Sequence, residues 1–315
     1  MNEQRAGIGR VTAAIVAVAA MLPYLTLKVL WLTGSSIGVT DPGLMRDSSM
    51  VGLNAMTFGM DVVGLVLALA FTMRWGLRLP AWLVLLPLWV GTGLLSVVVV
   101  TAPIMVLLHG LSVFQGGSIE PWIYMMVYGG FIGQGVGLMT AFSLYSRDRW
   151  PHAFTTRVDH PFASPSRSFQ TVVAWGALLV TLPIGAVRLS GGVFLEGFKG
   201  LLGIAGAVAL ILAVRRRGGG PFWRPLVVAW LGSGSLFGWG LYAMIVTSVG
   251  GPLAGGASAA NLVELFGMLT GLVMGMCGAF LLTERSRMSD VQPVQDALEG
   301  EDRERDRQTA DHGHR

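Results

Sequence analysis

Asp61 lies near the middle of an apolar run from Met50 to Met73, about 16 Å from either end at ~1.5 Å of helical rise per residue. An ionised carboxylate at that depth costs about 2.5 to 3.5 kcal/mol on insertion scales, so it must face protein or water and find a partner. Asn54 and Thr57 precede it on the same helical face and extend a polar stripe toward one end of the run. Two chemistries suit such an acid: a ligand or ion site, and a hydrogen-bonded structural carboxyl.

Lys28 and Arg188 are the next candidates, because each follows a proline at the same spacing, in Leu22-Pro23…Lys28 and Leu182-Pro183…Arg188. Their long stems would let both snorkel to a headgroup layer, but snorkelling does not explain why the spacing recurs. Lys199, Glu196, Glu264 and Glu120 fall at similar depth. Together these residues are expected to line one outward-facing polar vestibule selective for a small anion or zwitterion. A direct Lys28–Asp61 pair would have to bridge a depth gap of ~9 Å, six residues at ~1.5 Å each, through a water or a tilted helix.

The elements that must hold these residues are helices. Hydrophobic residues make up 53% of the chain and charged residues 13%, about half the charged share of a soluble domain. The chain therefore reads as an integral membrane protein. Eight segments have spanning length: Val11 to Thr33, Met50 to Met73, Pro80 to Ala102, Pro121 to Tyr145, Ser168 to Leu189, Leu195 to Val214, Pro225 to Val249 and Asn261 to Thr283. The first, preceded by Arg5 and Arg10, resembles a cleavable signal with Ala17-Val-Ala19 as its small-residue site. Its length and its match to the fifth segment make it a spanning helix instead. With the N-terminus inside, all but four of the 22 lysines and arginines (Lys28, Arg46, Arg188 and Lys199) fall on the inner side, in accord with the positive-inside rule. Both termini are then cytoplasmic.

A duplication organises the segments. Pro80-Ala-Trp82 runs on to Trp89-Val-Gly91-Thr-Gly93, and Pro221-Phe-Trp223 runs on to Trp230-Leu-Gly232-Ser-Gly234, at one ungapped offset in a chain with 10 tryptophans. Gly129, Gly133, Gly137 and Ala141 match Gly267, Gly271, Gly275 and Ala279 in the same way. The predicted fold is therefore all-α and polytopic, two parallel four-helix repeats over 1–147 and 168–287, related by an axis along the membrane normal. Residues 148–167, with His152 and His160, read as a cytoplasmic linker, and 288–315, dense in mixed charge, as a disordered cytoplasmic tail. The two glycine rows read as helix-packing faces, with the fourth and eighth helices meeting each other or equivalent partners. Trp89 and Trp230 lie deep enough that each indole N–H needs an acceptor.

Other chemistries find no support. Cys277 is the single cysteine, which excludes a disulfide framework and thiolate metal sites. The five histidines include His109 and the tail pair His312 and His314, in no zinc-protease spacing. There is no P-loop and no nucleophile elbow. No metal, cofactor or nucleic-acid partner is expected. The lysine-poor, Ala-, Gly-, Val- and Arg-rich composition resembles that encoded by high-GC bacterial genes, which points to a bacterial inner membrane. The reading is a permease-like or small-molecule-binding membrane protein for an anion or zwitterion. The alternatives are a non-transporting scaffold or sensor subunit that binds a protein partner or a second copy, and a membrane-embedded enzyme acting on a lipid-linked substrate.

Overall fold

The computed structural model describes residues 7–159, 164–250 and 260–285. Among these residues nine helices follow in order: α1 (Ile8–Leu32), α2 (Ser48–Thr72), α3 (Ala81–His109), α4 (Pro121–Arg149), α5 (Pro151–Thr155), α6 (Arg167–Ser190), α7 (Phe194–Arg215), α8 (Trp223–Val249) and α9 (Ala260–Arg285). All except the short α5 are long and apolar enough to cross a membrane, eight among the described residues. No strand occurs among the described residues, where the only ladder pairs are the isolated bridges Val39–Ile119 and Arg157–Pro221.

The helices start and stop close to the apolar boundaries. Asp47 caps α2, accepting the backbone N–H groups of Ser49 and Met50, which satisfies two of the four orphan donors. Pro121 opens α4, where its missing N–H costs nothing. One boundary differs from the sequence reading. Helix α3 continues past Ala102 and Pro103 to His109 and then through the tight turn Gly110–Phe114. A proline removes one backbone bond, but unwinding in lipid would strand several, so the helix continues.

Two groups of helices each have a core. Helix α1 packs against α2 and α4, with α3 also against α4, around Met21, Phe71, Leu88 and Tyr145. Helices α6 to α9 surround Leu210, Phe222, Leu236 and Met274. The outward faces are apolar, Leu179 being 74% exposed, as lipid-facing side chains are in a multi-pass membrane protein.

The groups join where α3 packs on α8. Trp89 donates its indole N–H to Ser233 Oγ at 3.0 Å, and Trp230 donates its own to Thr92 Oγ1 at 2.9 Å. Each indole thus reaches the hydroxyl three residues beyond the other tryptophan, and both deep N–H groups have acceptors. Between them Gly93 meets Gly234 so closely that a Cβ on Gly93 would lie 2.1 Å from the Gly234 carbonyl carbon.

The glycine rows have different partners from those expected. The rows on α4 and α9 face unlike surfaces. Gly133 and Gly137 sit against Ala20 and Ala17 of α1, whereas Gly271 sits against the backbone of Ser233 and Phe237 in α8 and Gly275 against the Trp89 ring. The reason is the size of what lies opposite: α1 offers alanines at helical spacing, and α8 offers a backbone approach. A Cβ on Gly129 would meet nothing within 4 Å, and one on Gly267 would lie 3.8 Å from Arg188 Nη2.

One end of the bundle is rich in arginine. Arg10 pairs with Asp148 at 2.7 Å. Arg149 reaches the carbonyls of Gly76 and Leu79, and Tyr145 donates to the same Gly76 carbonyl. The described part of the linker is docked: Val158 N–H donates to Gly220 and Phe222 N–H to Thr156, while the Arg285 guanidinium lies 3.7 Å over the Phe222 ring. His160 and the tail from 288 to 315 lie outside the described residues.

Candidate functional site

Pro23 sits inside α1 and Lys28 follows on the stretch beyond it. Lys28 does not snorkel. It is 4% exposed, its ammonium donates to Asn54 Oδ1 of α2 at 2.6 Å, and it lies 4.7 Å from the centre of the Tyr24 ring and 5.5 Å from that of Trp31. The Trp31 indole is fixed in turn by the carbonyl of Ile37 at 3.0 Å. A cation over aromatic faces is attracted to their negative quadrupoles, which partly replaces lost water.

Asp61 lies on α2 two turns beyond Asn54 and is 5% exposed. Its Oδ1 accepts a long bond, 3.4 Å, from the Gln134 amide of α4. Its Oδ2 accepts none among the described residues. Lys28 and Asp61 feel each other electrostatically but share no hydrogen bond or ion pair. Thr57, between them, turns its hydroxyl back to the Leu53 carbonyl at 2.9 Å. Gln134 is the residue the sequence reading missed. It follows Gly133 in a glycine row read for packing, and its amide is the one polar side chain of α4 buried at mid-helix.

Where the stripe reaches the bundle end, Asp47 lies outside the spanning segment. The Ser49 hydroxyl and the Met50 amide hold its carboxyl below the usual carboxylate range.

The other candidates gather in the second group. Arg188 of α6, 4% exposed, directs Nη2 to both oxygens of Glu264 on α9 at 2.9 Å. Its Nη1 stands 3.6 Å from Glu196 of α7, and Glu196 also holds Lys199 at 2.5 Å. The Lys199 ammonium lies 4.8 Å over the Trp239 ring. Two positive and two negative groups therefore cancel within one cluster. The single vestibule expected from depth alone is replaced by two clusters on different helices, since α1 and α6 belong to different groups joined through α3 and α8. Glu120 belongs to neither by its backbone, which pairs with Gly38 ahead of α4.

A third feature is an open apolar groove of about 410 Å³ between α3 and α4, lined by Pro103, Val106, Met125, Tyr128, Gly129 and Ile132 among others. Among the described residues no three His, Cys, Asp or Glu side chains converge as metal ligands would. No protein-family model matches the chain, and neither the curated proteins nor the solved structures give a match.

Proposed function

We propose that the protein is a permease-like or solute-binding membrane protein for a small anionic or zwitterionic ligand, with its site between α1, α2 and α4. One contrast carries the reading. Lys28 and Asp61 are buried and each is held by a neutral amide, Asn54 or Gln134, whereas the equally buried Arg188 is neutralised by two carboxylates. A charge buried for architecture needs a close opposite partner, as Arg188 has. A charge with no close ionic partner retains the capacity to receive an opposite charge from a ligand.

The duplication sharpens the contrast. On the parallel-repeat reading Lys28 corresponds to Arg188, Asn54 falls near Glu196 and Asp61 near Gly203, so each half sets a basic residue against a similar position of its second helix. The second half answers with an acid at that position, and the first displaces its acid two turns deeper. The reciprocal Trp89–Ser233 and Trp230–Thr92 bonds support a two-fold relation between α3 and α8. The arginine-rich end is assigned to the cytoplasm of a bacterial inner membrane, with both termini inside.

Two experiments test this. In proteoliposomes, Asp61→Asn and Lys28→Met are expected to abolish flux of the transported solute while thermal stability stays near wild type. Flux equal to wild type in both variants would refute the site. For topology, Ser48→Cys should react with an impermeant maleimide from outside intact cells and Ser164→Cys only after permeabilisation, with the buried Cys277 of the parent chain as background. Labelling of both from one side would overturn the eight-helix orientation.

A second reading, a non-transporting subunit that binds a protein partner or a second copy, is favoured by the apolar groove at Gly129. On that reading Gly129→Leu, which fills open space, changes the assembled mass, and no solute is carried.

A further inference from the structure

We infer that the first-half site couples one proton, taken up on Asp61, to one small monoanion held by Lys28. The inference rests on the permease reading and narrows its ligand from an anion or zwitterion to a monoanion that travels with a proton.

The chain solvates its partly buried acids differently. Glu264 receives two bonds from Arg188 at 2.9 Å, and Glu284 receives bonds from Ser164, Ser166 and Gln170. Asp61 receives one long bond from a neutral amide, and its Oδ2 has no donor among the described residues. A carboxyl so placed can exchange a proton, since when ionised it is balanced at a distance by Lys28 and when protonated it carries the proton on Oδ2 while Oδ1 continues to accept from Gln134. The charged and titratable groups around it are few. Lys28 and Tyr24 face it from α1. Helix α4 presents Gln134 to it, and its Tyr128 reaches only as far as Tyr24. Tyr242 of α8 likewise approaches Tyr24. Along α3 the first titratable residue is His109, at its end, and α2 has no other.

Charge balance then fixes what accompanies the proton. Without ligand, Lys28 is positive and Asp61 negative, and the buried interface is neutral. Adding a proton to Asp61 leaves one uncompensated positive charge, and a monoanion at Lys28 restores neutrality. The loaded and empty states are both neutral only if proton and monoanion enter together. On release the O–H bond of Asp61 breaks, its electron pair returns to the carboxylate and the proton passes to water. A compact zwitterion cannot substitute. Asp61 lies ~10 Å deeper than Asn54 by helical rise, whereas the two charges of an α-amino acid are separated by no more than about one backbone repeat, ~3.8 Å.

The test uses the full chain in proteoliposomes. Infrared spectra recorded across pH should contain a protonated-carboxyl band that titrates, shifts in heavy water and is absent from Asp61→Asn. Gln134→Leu should retain the band and move its midpoint. Fluxes of acetate, lactate, methanesulfonate, glycine and betaine are followed with an internal pH dye. Uptake of a monoanion with one proton per anion, lost in Asp61→Asn, is the expected result. Absence of a titrating Asp61 band overturns the proton site, and the flux itself then decides whether the permease reading survives. A titrating band with no flux of any probe overturns the permease reading and the coupling together. Glycine or betaine flux without proton movement overturns the coupling and makes the ligand a zwitterion.

Discussion

Gly93→Val should separate α3 from α8 and cause a large loss of stability. A Cβ at Gly93 would meet the carbonyl carbon of Gly234 at 2.1 Å and the Ser235 nitrogen at 2.4 Å. These are backbone atoms, so no side-chain rotation relieves the clash. Overpacking typically costs about 1 to 3 kcal/mol, and here the two indole–hydroxyl bonds that flank the contact would be lost as well, at ~1 kcal/mol each. The sum exceeds about 3 kcal/mol. Gly91→Val is the control, because a Cβ there meets nothing within 4 Å, and it should change stability by no more than ~0.5 kcal/mol. Thermal unfolding of the two variants in detergent makes the comparison. Equal melting temperatures would mean that the α3–α8 seam is not what joins the halves.

Glu264→Gln should also have a large effect. It leaves Arg188, nearly inaccessible, with only Glu196 at 3.6 Å, and breaking a buried ion pair by removing one partner costs about 3 to 5 kcal/mol. Partial exposure of Glu264 places the loss toward the lower end of that range. The double replacement Arg188→Met with Glu264→Leu should recover much of it, because the uncompensated charge goes too. Lys28→Met removes a cation whose partners are an amide and two aromatic faces, and it should destabilise far less. A Lys28→Met loss as large as that of Glu264→Gln would make Lys28 an architectural charge like Arg188.

Much of the scaffold was legible in the sequence because the membrane imposes it. Apolar runs of spanning length become helices, since no other single element satisfies its own backbone in lipid, and all eight runs coincide with α1–α4 and α6–α9. The depth of Trp89 and Trp230 required the acceptors that Ser233 and Thr92 provide, whereas the recurrence of the two tryptophans does not by itself reveal that α3 and α8 meet. What the sequence could not supply was lateral position. Depth along a helix follows from rise per residue, but azimuth and neighbours do not. Lys28, Arg188 and Lys199 therefore appeared to share one vestibule, although they occupy two clusters. For the same reason depth alone groups Glu264 with the ligand candidates, whereas it pairs with Arg188. Gln134 was hidden by its glycine neighbours, and a polar amide at mid-span was the signal that would have revealed it. The α3 boundary was misplaced because Pro103 has the force of a helix stop in water and not in lipid.

The polar stripe that began as a lone acid is thus a set of four side chains, Lys28, Asn54, Asp61 and Gln134, on three helices. Its difference from the closed cluster at Arg188 is the basis for assigning it a ligand. The most direct measurement is the melting temperature of the full-length protein against a panel of small anions and zwitterions, wild type beside Asp61→Asn, since a ligand that binds the native state stabilises it by mass action. The permease reading predicts that at least one solute raises the wild-type melting temperature in a concentration-dependent way. It also predicts that Asp61→Asn, folded and equally stable without ligand, shows no such rise. If no solute moves the wild type and Asp61→Asn simply melts lower, Asp61 is a structural acid and the site is not a binding site.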